Sequence, residues 1–169
     1  KVTLDGNNAS FGNGTVTVTF ANATTLATSS NVTVANAVQL DGQTTLNTAT
    51  ANRSLAVSNI SNAITGNTGS LIKTGIGTLT LNAENTYKGN TAITGGKVVL
   101  GNAATLGVGG TVTLADTTTL ETSATATVAN AIVLSGGQAT VSTTVTGSSL
   151  TINQAMTGDG GLIKSGAGT

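Results

Sequence analysis

The chain has 169 residues, six basic and six acidic side chains, zero net charge, and no Pro, Cys, His or Trp. Charged residues make up 7%, against about 25% in an ordinary globular domain. So sparse a charge set excludes the basic footprint of a nucleic-acid binder. The missing Cys and His exclude disulfides, thiolate zinc sites and a Ser-His-Asp triad.

Disorder is the first alternative to test, because Gly, Ser, Thr and Asn abound. A 38% apolar content and a mean hydropathy of +0.23 speak for order with a thin core of small aliphatics. No apolar run reaches the roughly 18 residues of a spanning helix, so no direct membrane insertion of this segment is expected. Lys1 stands where Met is usual, which suggests a processed or excised piece.

Along the chain the apolar residues recur two apart: Val16/Val18/Phe20, Val38/Leu40, Leu55/Val57, Leu79/Leu81, Val98/Leu100, Val112/Leu114, Ile132/Leu134 and Leu150/Ile152. Alternation of this kind puts apolar residues on one face of a strand and small polar ones on the other. The intervening Thr and Val suit a pleated sheet better than a helix, and no window carries helical apolar spacing beyond a turn. The chain reads as all-β.

It also repeats itself. Residues 24–42 match 118–136 at a constant offset of 94, with Leu26 on Leu120, Val34 on Val128 and Leu40 on Leu134. Residues 1–18 match 97–114 at an offset of 95 to 96, and 63–78 match 155–169 as the offset falls from 92 to 91. One continuous solenoid segment over 1–169 is therefore expected. Its related copies span approximately 1–68 and 97–159, a distinct motif lies at 69–100, and that motif restarts at 160–169. Breaking off inside a repeat marks Thr169 as a boundary within a longer rod.

Two β architectures compete. Asp41-Gly42 suits the type I′ turn of a meander or barrel, but the matched Ser135-Gly136 is a weaker hairpin signal. Duplication, small core residues and scarce aromatics favour a parallel β-helix whose turns bury apolar residues on one another. Turns of roughly 20–24 residues predict seven or eight rungs and, at about 4.8 Å each, a rod of roughly 35–40 Å. Asn and Thr at equivalent turns are expected to stack as side-chain ladders.

The stretch GSLIKTGIGTLTLNAENTYKGNTAITGGKVVL, residues 69–100, resembles the autotransporter-associated β-strand repeat, also called the passenger-associated transport repeat. Gly69, Leu71, Lys73, Gly75, Gly77, Thr78, Leu79 and Leu81 fill the first half of that pattern. Asn85, Tyr87, Gly89, Thr91, Ile93 and Gly96 fill the second, with Val98 where Leu is usual. Leu162, Lys164, Gly166 and Gly168 begin the pattern again. The resemblance implies a right-handed parallel β-helix from a Gram-negative type V secreted passenger, located outside the cell or on its surface. It further implies support of secretion, and adhesion to a host-cell or glycan receptor or self-association between passengers. It brings no cofactor.

Several side chains carry a chemical alternative. Lys73 and Lys164 read as a spaced cationic row for an anionic glycan or as donors to turn carbonyls; the second is preferred. Tyr87 reads as a sugar-stacking ring or as a cover for a rung edge, again with the second preferred. The carboxylates Asp5, Asp41, Glu84, Asp116, Glu121 and Asp159 lack acidic partners in the other copy, unlike the paired acids of polysaccharide-cleaving β-helices. They read as solubilising surface residues, and no catalysis, metal or cofactor is expected. A β-helical carbohydrate-binding protein or polysaccharide-active enzyme remains the alternative. Thr15-Val16-Thr17-Val18-Thr19 and Thr111-Val112-Thr113 raise a remoter one, an ice-binding solenoid, although the register of these rows drifts. Sequons at Asn8, Asn13, Asn22, Asn31, Asn52 and Asn59 are expected by chance in so Asn- and Thr-rich a chain.

Overall fold

A computed structural model describes residues 1–6, 11–12, 14–58, 64–101 and 105–169. Twenty short strands and no helix occur among them. Every strand pairing is parallel, as in Thr91↔Leu71 and Thr91↔Val112. The polypeptide is a β-solenoid of about seven turns. Asp41-Gly42 forms no hairpin, because Val38–Asp41 and Gln43–Thr48 belong to different sheets.

Three faces surround the axis. The first is an eight-stranded sheet running from Val2–Thr3 to Met156–Gly158, and the second a seven-stranded sheet from Val32–Val34 to Gly161–Ser165. The third begins as Val18–Ala21, Val38–Asp41 and Ile64–Thr65 and ends as Ala126–Val128 and Leu150–Ile152. Between those two patches it continues without regular strands. There Thr86 N–H donates to the Ile64 carbonyl at 2.8 Å, and Val108 N–H to the Tyr87 carbonyl at 2.9 Å.

The core consists of columns, one residue per turn. On the second face Val32, Leu55, Leu79, Val98, Leu120 and Val141 stack in register, all buried. On the first face the column reads Leu26, Leu46, Lys73, Ile93, Leu114 and Leu134. No single turn encloses apolar volume by itself, so each is stabilised only by its neighbours.

The duplication does not run in step with the turns. Leu114 lies four turns and 88 residues after Leu26 on the same column, yet Leu120, the sequence copy of Leu26, sits on the next face. Every copied strand is displaced likewise. Val32–Val34 is on the second face and Ala126–Val128 on the third; Val38–Asp41 is on the third and Ile132–Ser135 on the first. One repeat unit is four turns plus one face, so the two copies are rotated about the axis by a third of a turn.

Two sequence expectations need correction. Turn length ranges more widely than 20–24: Thr78 pairs with Lys97, 19 residues on, and Gln43 with Ser70, 27 on. Corners absorb the difference, since strands alone fix the core columns. Val16 was expected inside a strand, but the strand starts at Val18, and Val16 is 66% exposed. Truncating Leu79, wholly enclosed between Leu55 and Val98, to Ala is predicted to cost about 2–5 kcal/mol. Val16→Thr should stay within about 0.5 kcal/mol. Urea unfolding of the two variants measures the contrast.

Candidate functional site

The motif residues that alternate along the strands point inward. Leu71, Lys73, Leu79, Leu81, Asn85, Tyr87, Thr91 and Ile93 are all buried, while Thr78 faces outward and is half-buried. The motif glycines stand where the chain crosses closely over the turn before. Gly75 has φ +76°, and a Cβ there would collide with the Thr48 carbonyl oxygen. Its copy Gly166 has φ +80° against the Thr143 carbonyl oxygen. A side chain at either position meets both backbone strain and a clash. Gly69, Gly77, Gly89, Gly96 and Gly168 are likewise pressed on backbone of the neighbouring turn.

Lys73 occupies a column position held elsewhere by Leu and Ile, with no exposed surface. Its stem continues the apolar column while the ammonium bends to the corner. There Nζ donates to the carbonyls of Thr74 at 2.8 Å, Gly75 at 2.9 Å and Gly95 at 3.0 Å. Three donors meet three acceptors, and the Gly95 bond ties the corner to the following turn. Burial pulls the Lys73 pKa from 10.5 down to about 8. Lys164 repeats the cage with the carbonyls of Ser165 at 2.6 Å and Gly168 at 2.8 Å. It lies on the second face and Lys73 on the first, so the two lysines form no cationic row.

Tyr87 does not cover an edge; it is wholly buried. It lies on the strandless stretch of the third face and fills volume there as the apolar side chains of regular strands do elsewhere. The Thr91 hydroxyl donates to the Leu106 carbonyl at 3.4 Å, which leaves the Tyr87 hydroxyl to donate to Thr91 Oγ1 at 2.6 Å. Burial raises the Tyr87 pKa above its ordinary value, opposed in part by this bond. Asn85 anchors the same stretch. Its backbone N–H donates to Thr105 Oγ1 at 2.8 Å, the Thr105 hydroxyl donates back to the Asn85 carbonyl at 2.8 Å, and Asn85 Nδ2 donates to the Thr105 carbonyl at 2.6 Å.

This stretch is where a known family enters. Residues 71–100 match the model of the passenger-associated-transport-repeat. Gly69 lies just before the matched span, and the restart at 160–169 lies beyond it. No curated protein and no solved structure matches the chain. The transport repeat is thus an interior feature: it presents little chemistry to solvent and supplies a packed turn with a tyrosine plug and a caged ammonium.

The carboxylates have structural partners that composition alone did not reveal. Asp116 Oδ1 accepts Gln138 N–H at 2.7 Å and Asp159 Oδ1 accepts Gly136 N–H at 3.1 Å, each across turns. Asp5 accepts the Ser29 hydroxyl at 2.7 Å, and Glu121 pairs with Lys97 at 2.6 Å. Among the described residues no three acidic side chains converge. Asn ties run from side chain to backbone instead of forming the expected ladders: Asn22 Oδ1 accepts Gln43 N–H, Asn31 Oδ1 accepts Ser54 N–H, and Asn90 Oδ1 accepts Thr111 N–H, each at 3.0 Å. Asn8, Asn13 and Asn59 lie outside the described residues.

The Lys73 cage has a pH signature. Between about 8 and 10.5 the unfolded chain holds a proton that the folded chain has released, so this group makes stability rise with pH across that window. Below about 8 both states are charged and its contribution is flat. Tyr87 acts in the opposite sense once pH exceeds 10.0, because only the unfolded phenol then ionises readily. Lys73→Met is predicted to cost about 1–3 kcal/mol below pH 8 by leaving corner carbonyls unpaired. Its difference from the parent should widen between pH 8 and 10, as read from urea midpoints in paired titrations.

Proposed function

We propose that the chain is a stalk segment of an autotransporter passenger, displayed outside the cell or on its surface, that supports its own secretion by folding turn upon turn. The observation that carries this reading is the transport repeat at 71–100 set into a parallel solenoid. Each new turn finds a complete template in the last, so a chain emerging from a membrane gains stability with every added rung. The transport repeat favours early consolidation, because Lys73, Asn85 and Tyr87 join turns about 20 residues apart through buried polar contacts. The carboxylates hold turns together in this reading and perform no catalysis.

Tyr87→Ala in the full-length protein should destabilise the segment by about 3–5 kcal/mol and lower surface display several-fold. Tyr87→Phe should retain display. Export unchanged by Tyr87→Ala, measured by protease accessibility on intact cells, contradicts the role in secretion.

Adhesion and self-association belong to the same reading. The first face carries an outward column of Thr25, Thr45, Ile72, Ala92, Thr113, Val133 and Thr157 without a charge, so nothing electrostatic opposes a second copy there. Light scattering should show the mass rising with concentration above 16.3 kDa; a constant monomer mass contradicts self-association.

A further inference from the structure

On the third face, beside the transport repeat, an open groove of about 420 Å³ is lined by Gln39, Asp41, Thr65, Asn67, Thr86 and Lys88, among others. Its origin is local. The turn from Gln43 to Ser70 takes 27 residues and the next, from Leu71 to Thr91, takes 20. The excess is thrown outward at 66–69. Gly66, with φ +145°, carries the chain so close over Leu40 that a Cβ would strike the Leu40 carbonyl oxygen, and Asn67 and Thr68 stand exposed beyond it. They form one wall; Gln39 and Asp41 form the other side, with Gln39 Nε2 donating to Asp41 Oδ1 at 2.7 Å. Lys88 has no carboxylate within ion-pair reach, since the one ion pair among the described residues joins Lys97 and Glu121.

We infer that this groove is a binding site for a neutral oligosaccharide. Two amides, a carboxylate, hydroxyls and an ammonium offer donors and acceptors interleaved on a rigid sheet. The vicinal hydroxyls of a sugar, which both donate and accept, satisfy such a set. An extended peptide finds less here, because main-chain groups along the groove are already committed between turns, as with Thr86 N–H to the Ile64 carbonyl and Lys88 N–H to the Gly66 carbonyl. Val108 and the threonine methyl groups supply the little apolar contact available. The volume falls within the range of small-molecule sites, about 300–1,000 Å³. Without an aromatic platform the affinity is modest, and a rod presenting many such turns would gain by avidity.

The second copy provides a control built into the molecule. Val133 and Ser135 occupy the strand positions of Gln39 and Asp41 on the same backbone frame. The double variant Gln39→Val with Asp41→Ser therefore keeps residues that this fold already accepts. Backbone amide shifts of the ¹⁵N-labelled protein, titrated with a panel of neutral oligosaccharides of two to four sugars, test the site. Saturable shifts at 39–41, 65–68 and 86–88 with at least one member, weakened tenfold or more in the double variant, are expected. Shifts that persist undiminished in the double variant overturn the inference, as does an absence of saturable change with every member while the spectrum remains that of a folded β protein. Neither result bears on secretion, which rests on Tyr87 and the turn stacking.

Discussion

The constraint on which the molecule depends is that no turn has a core of its own. Each turn supplies a few apolar residues to columns such as Val32, Leu55, Leu79, Val98, Leu120 and Val141, and each closes its main-chain hydrogen bonds on the turns before and after. Parallel pairing makes this possible, because all strands of a face then run in one direction and like positions coincide. Size, composition and sparse charge follow from it. The interior is narrow, so the side chains that fill it are Val, Leu, Ile and Thr. Bulky rings would have no space where three sheets already meet. Tyr87 is buried where the third face lacks strands, which is consistent with that rule.

Buried polarity is placed where the chain turns corners. The Lys73 ammonium sits among three carbonyls that the tight Gly75 corner leaves without sheet partners, and reaches across to Gly95. A charge so enclosed is costly unless every donor is met, and here each is. Asp116, Asp159 and the Asn side chains do the same for corner N–H groups. Polar residues in this rod therefore act mainly as clasps between turns. This explains how corners of 19 to 27 residues per turn coexist with strict register in the strands.

Much of this was legible in the sequence. Period-two pairs located most strands, the duplication and the small residues pointed to a parallel solenoid, and the transport-repeat pattern named the residues that turn out to be buried. Three things were not legible. Alternation tells in from out but not which of three faces a strand joins, so the rotation between copies was hidden even though Leu26 and Leu120 matched. A lysine in a charge-poor chain reads as surface, and only the column Leu46, Lys73, Ile93 shows that its stem replaces a leucine. Val16 fits the alternation of Val18 and Phe20, yet it precedes the point where pairing begins. The groove beside Asp41 was also invisible, because it arises from unequal lengths of successive turns rather than from any motif.

The most direct test of the account is detection of hydrogen bonds between turns by trans-hydrogen-bond scalar coupling in the labelled protein. Couplings from Thr91 N–H to the Thr111 carbonyl and from Thr140 N–H to the Thr118 carbonyl are predicted on the first and second faces. Reciprocal couplings within sequence-adjacent pairs such as 38–41 with 43–46, the mark of antiparallel hairpins, would contradict it.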